Sequence, residues 1–265
     1  MSGKLLVVGD SLCTRYVQET RKYRQDDYLW KTTEFKYWFE YLGDKLKLDV
    51  LNLSYCGAGN QQIFDNTLHA INTNDDIDLA IICWSGFDRI DLPSSSYDRN
   101  CLHLNLVDKI EDVSDDMRKK YHQYFVKDNL FDIYIMIDKF INYCISIDNL
   151  FKSKNIKLIQ TFSIVPYLEG LNENRPKSSK VYQYYINHSL FNKINEKSFF
   201  LYPGTDMLGG SNLYELYGPP YNKRASEYVL NPKKLDNGFV VDSHPNAEGN
   251  KIIFDALYRF ILDKY

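Results

Sequence analysis

Lys4-Leu5-Leu6-Val7-Val8-Gly9-Asp10-Ser11-Leu12 is the stretch that decides how this chain is read. Leu5 to Val8 is an unbroken apolar run with no polar alternation, which suits a strand buried on both faces, as in a parallel sheet. Gly9-Asp10 ends it, and Ser11 follows at the strand's carboxyl end. Further along, Leu48–Leu53, Leu79–Trp84 and Ile156–Phe162 read as strands of the same kind, with Phe239–Val241 as a candidate fifth. Between them lie helical patterns: Thr33–Leu46 (apolar at Phe35, Trp38, Phe39, Leu42 and Leu46), Gln61–Asn72, one long amphipathic segment at Tyr124–Lys154, and a closing helix at Ala247–Leu262. Strands alternating with helices predict an α/β fold. Right-handed crossovers then give a three-layer α/β/α sandwich around a parallel, flavodoxin-like sheet.

Two long stretches break the alternation, about residues 90–123 and 165–237. Both are polar, rich in turn residues and placed after strand ends, where parallel sheets bind ligands. They read as loop insertions in a single domain, 1–265. The chain holds 32 Lys+Arg against 35 Asp+Glu, a net charge of −3, which argues against a dedicated nucleic-acid binder. Its five cysteines (Cys13, Cys56, Cys83, Cys101, Cys144) are odd in number, widely spaced and without a C-x-x-C pair. Neither a disulfide framework nor a zinc site is indicated. No run approaches a membrane span, and the apolar run near the start is too short for a signal peptide. The reading is of a cytoplasmic or virion-associated protein without a signal peptide.

Three turns follow strand ends and carry chemistry. Gly9-Asp10-Ser11 exposes a hydroxyl; Gly57-Ala58-Gly59 lets a backbone N–H approach a ligand; Asp242-Ser243-His244-Pro245 precedes the closing helix. In an extended segment residues two apart point the same way, so Asp242 and His244 can share one cleft. Ester hydrolysis needs a nucleophile, a base, a group that orients the base and donors for an oxyanion. Ser11, His244, Asp242 and Gly57 match those roles in order. Each taken alone also has a bland reading, as a helix cap, a surface histidine or a plain turn.

These blocks resemble the SGNH hydrolases, also called GDSL esterases and lipases: Gly9-Asp10-Ser11-Leu12 the first, Gly57 within Asn52–Asn60 the second, Asp242, His244 and Pro245 the last. The resemblance runs from about residue 4 to residue 263 and is weak in the two insertions. It implies a serine esterase with catalytic Ser11, His244 and Asp242. The backbone N–H groups of Ser11 and Gly57 form the implied oxyanion hole, and neither metal nor organic cofactor is needed. It further implies a small acyl ester, acetyl on a carbohydrate, as substrate, and some similarity to phage and viral members.

Two departures stand out. The family's third block reads Gly-x-Asn-Asp, its Asn an oxyanion donor, whereas this chain has Trp84-Ser85-Gly86-Phe87-Asp88-Arg89, leaving Ser85 or Arg89 as a third donor. The last block has one residue between Asp242 and His244 where two are usual. Losing one oxyanion donor costs about 10²–10³ in turnover. Two alternatives therefore stay open: a structural or carbohydrate-binding protein that lost the activity, and an O-acyltransferase using the same triad. Tyr182, Tyr184, Tyr185, Tyr214, Tyr217 and Tyr221 in the second insertion are candidate sugar-stacking residues, or ordinary packing.

Other readings fail on the residues. Gly9-Asp10-Ser11-Leu12-Cys13 is not the G-x-S-x-G elbow, and Gly57-Ala58-Gly59 does not continue into G-x-G-x-x-G. Glu111, Asp112, Asp115 and Asp116 lack EF-hand spacing and read as a solvated face. His69, His103, His122 and His188 have no partner motif, and Cys13 reads as a packing residue.

Overall fold

A computed structural model describes residues 3–16, 34–93, 101–105, 116–127, 132–164, 180–201, 213–217, 227–234 and 240–265. In chain order the elements are β1 (Lys4–Val8), a 3-10 turn (Ser11–Cys13), α1 (Trp38–Leu46), β2 (Asp49–Asn52), α2 (Asn60–Thr73), β3 (Ile77–Trp84), β4 (Arg89–Pro93) and β5 (Cys101–Asn105). There follow α3 (Asp116–Lys127), α4 (Ile133–Ser153), β6 (Lys157–Phe162), α5 (Lys180–Asn187), α6 (Leu213–Tyr217), β7 (Val229–Lys234), β8 (Val240–Pro245) and α7 (Ala247–Lys264).

The central sheet has the order β2-β1-β3-β6, with every pairing parallel. Because side chains alternate along a strand, the continuous apolar runs feed two cores at once. Leu5, Val7, Leu79, Ile81, Cys83 and Ile159 face one layer, packed by Trp38, Phe39 and Leu42 of α1 and Ile253, Leu257 and Ile261 of α7. Leu6, Val8, Ala80, Ile82, Trp84, Leu158 and Phe162 face the other, packed by Ile63 and Ile71 of α2, Phe140 and Cys144 of α4, and Tyr185 of α5. The expected α/β sandwich with a parallel sheet is the architecture observed.

Several boundaries differ from the sequence reading. The first helix starts at Trp38, not Thr33: residues 34–37 are not helical, Tyr37 is extended (φ −86°, ψ 157°), and the Trp38 N–H is held by the Asn250 side chain at 3.1 Å. The Tyr124–Lys154 segment is two helices. Asp132 is extended (φ −124°, ψ 110°) and its carboxylate accepts the Tyr134 N–H at 2.8 Å, a cap that starts α4 afresh. The candidate fifth strand does not join the central sheet. β8 pairs antiparallel with β7 in a separate ribbon, and Phe199 makes a lone parallel bridge to Gln160 of β6. Phe239 lies outside the described residues. Nor are the two stretches loop throughout: the first contains the antiparallel β4–β5 pair and part of α3, the second α5, α6 and β7.

Candidate active site

The turn of the candidate nucleophile, Ser11, is shaped by Asp10. One carboxylate oxygen accepts the Leu12 N–H at 3.0 Å and caps the 3-10 turn that begins at Ser11. The other accepts the Ser163 hydroxyl at 2.6 Å, the Ser85 hydroxyl at 3.0 Å and the Arg89 guanidinium Nη1 at 3.1 Å. Asp10 is fully buried, and its charge is matched by these four donors. They come from just beyond the carboxyl ends of β1, β3 and β6, so one carboxylate ties three adjacent strand ends together. Gly9 leaves no room for a side chain: a Cβ there would stand 2.6 Å from Cys13 Sγ and 2.9 Å from Cys83 Cβ. Burial pushes the Cys13 thiol well above its ordinary range, so it packs as an inert thiol beneath the turn.

At the other end of the chain, β8 delivers His244. Asp242 pairs with Asn231 and Pro245 with Val229, so three steps on β8 oppose two on β7, an irregularity that spans His244. Such bulges re-aim a side chain beside a site. Asn246 then caps α7, accepting the Glu248 and Gly249 N–H groups at 3.0 and 3.1 Å. The outcome is a contact between residues 233 positions apart: His244 Nε2 lies 2.8 Å from Ser11 Oγ. A hydrogen-bond relay holds the two turns in one frame. Trp38 Nε1 donates to the Leu12 carbonyl at 2.9 Å, the Trp38 N–H to Asn250 Oδ1, and Asn250 Nδ2 to the Pro245 carbonyl at 3.2 Å.

Ser11 and His244 are half-buried, reachable from solvent. Asp242 is described by its backbone alone, on the same strand as His244. Gly57 sits in a turn with φ 84°, a conformation that favours glycine. That turn is fixed to the nucleophile turn by Thr14 Oγ1 against Cys56 Sγ at 3.3 Å and by Asn52 Nδ2 donating to the Cys13 carbonyl at 2.7 Å. Ser85 and Arg89, the two expectations for a third donor, both donate to Asp10. The Ser85 hydroxyl is buried and its one proton goes to the carboxylate, so as a hydroxyl donor to an oxyanion it is committed elsewhere. The Ser85 backbone is clamped by Asn60, whose amide accepts the Ser85 N–H at 2.8 Å and donates to its carbonyl at 3.2 Å.

Three participants escaped the sequence reading: Tyr16 stacked on His244, Ser163 on Asp10, and Asn60 on Ser85. Of these, Asn60 ends the second turn and Ser163 follows a predicted strand, but nothing in the sequence marked either side chain's partner. Tyr185 and Tyr217 are fully buried in the two cores, so packing accounts for them. Tyr184 donates to Asp138, nothing is described of the Tyr214 side chain, and Tyr221 lies outside the described residues, as do Glu111, Asp112 and Asp115. Among the described residues no group of His, Cys, Asp or Glu is arranged to hold a metal ion, and no helix is long and apolar enough to cross a membrane.

No protein-family model matches the sequence, and no curated protein matches it. Among solved structures, the chain is similar to a crystal structure of TesA, with 10% identity, 99% of each chain covered and a TM-score of 0.47.

Proposed function

We propose that the chain is a serine esterase of the SGNH type, hydrolysing a carboxylic ester. The observation that carries this reading is the 2.8 Å contact between Ser11 Oγ and His244 Nε2 at the carboxyl end of a parallel sheet. In this reading His244 Nε2 accepts the Ser11 proton as Oγ attacks the acyl carbon, which requires the tautomer protonated at Nδ1. Asp242 is assigned to hold that tautomer. The N–H groups of Ser11 and Gly57 receive the oxyanion, with Arg89 as the remaining side-chain candidate for a third donor. The imidazolium gives the Ser11 proton to the departing alcohol as the acyl-enzyme forms; His244 then takes a proton from the attacking water and passes it to the Ser11 oxygen as the acid leaves. The resemblance of the sequence blocks supports a small acyl group, acetyl on a carbohydrate, and transfer to a sugar hydroxyl differs only in the final nucleophile.

One observation favours a second reading, a protein that retains the site and has lost turnover. The third block lacks the family's Asn, and Ser85, a candidate donor in that block, turns its hydroxyl to Asp10. A fluorophosphonate probe with intact-mass detection separates the two. The esterase reading expects stoichiometric labelling of wild type, none of Ser11→Ala, and a loss of at least about 10³-fold in His244→Ala. Wild type that stays unlabelled after long incubation at several pH values overturns it in favour of the second reading. If labelling succeeds, acetylated sugars with and without an acceptor sugar distinguish hydrolysis from transfer.

A further inference from the structure

We infer that Tyr16 is a positioning residue for His244, holding the imidazole in the plane that aims Nε2 at Ser11 and stabilising it when it gains a proton. This inference rests on the esterase reading above. The two rings lie face to face, centroids 3.6 Å apart and planes within 10°. Tyr16 is 9% exposed and packs with Leu230 of β7 and with Phe35 and Cys56. It therefore touches the ribbon that carries His244 and the turn that carries Gly57, while sitting five positions after the nucleophile in the same short run of chain. The χ2 torsion of histidine is broad and sets its ring plane weakly. Stacking against a buried, well-packed ring removes that freedom. Each proton transfer from Ser11 also creates an imidazolium, and a cation over an aromatic ring is attracted by the ring's negative face. The neutral ground state gains less, so the stack is worth more in the transition state.

The test compares Tyr16→Phe, which keeps the ring, with Tyr16→Leu, which keeps apolar bulk without a π face. We expect Tyr16→Phe to hold near wild-type rates, and Tyr16→Leu to lose about tenfold in kcat with little change in KM. The rate of fluorophosphonate labelling should fall by a similar factor in Tyr16→Leu, with stoichiometry still reaching one per chain. Thermal melting of both variants checks that the fold is retained. Equal labelling rates in wild type and Tyr16→Leu would overturn the inference and leave the esterase reading standing, as would a Tyr16→Phe as impaired as Tyr16→Leu. A wild type that never labels fails the esterase reading itself, and this inference with it.

Discussion

A carboxylate with no solvent exposure, one residue before Ser11, is expensive unless its charge is fully met. Asp10 is such a group, and Arg89, 16% exposed at its side chain, is its ion-pair partner. Removing one member of a buried pair leaves the other charge stranded. Arg89→Met is therefore expected to destabilise the protein by about 3 kcal/mol, and Asp10→Asn by a similar amount. Together they should cost less than the sum, because the second change removes the charge stranded by the first. Urea denaturation of the two single variants and the double variant measures this, and strict additivity would show that the pair is not coupled. At this scale the sequence revealed those site residues that sit in short local patterns: Ser11 after a strand and Gly, His244 before Pro and a helix. It could not reveal Ser163 or Tyr16. Ser163 meets Asp10 across 153 positions, and Tyr16 reaches His244 through a stack that no spacing encodes.

Between elements, the start of α2 is held from outside itself. Its N-cap is Gly59, with no side chain to offer, and both oxygens of Asp91 on β4 take its place, accepting the Gly59 and Gln62 N–H groups at 2.8 and 2.9 Å. A carboxylate there also complements the positive end of the helix. Asp91→Ala should cost about 1–2 kcal/mol, and Asp91→Asn less, read from urea midpoints at neutral pH. If Asp91→Ala melts like wild type, the cap is replaced by water without loss. Of the strands that were legible, β1, β3 and β6 are the ones buried on both faces, where an apolar run suits a parallel sheet. β7 was not legible, and β8 was read only in part, as the candidate strand Phe239–Val241. Val229–Lys234 reads Val-Leu-Asn-Pro-Lys-Lys, without alternation, and its strand character comes from the partner it finds. The division of Tyr124–Lys154 was hidden for a related reason: apolar spacing continues through a break that a single capping carboxylate imposes.

Over the whole molecule, α7 closes one layer, and its last turn sets a pH dependence. Lys264 donates to the Leu158 carbonyl at 2.8 Å, and burial lowers its pKa from 10.5 to about 8. Between about pH 8 and 10.5 the unfolded chain holds a proton there that the folded chain has released. Stability from this group therefore rises with pH across that window and is flat below it. Wild type should gain on Lys264→Met as pH climbs from 7 to 10, seen as a growing difference in urea midpoint. A constant difference would mean that the lysine keeps its proton in the folded state. The relay from Leu12 through Trp38 and Asn250 to Pro245 has a kinetic side. It joins segments 212 positions apart in the chain, and contacts between such distant positions are slow to close. On the ribosome, Ser11 emerges 233 positions ahead of His244 and must wait for that histidine to settle on its ribbon. On the esterase reading it is an ordinary alcohol until then, and the nascent chain stays chemically silent.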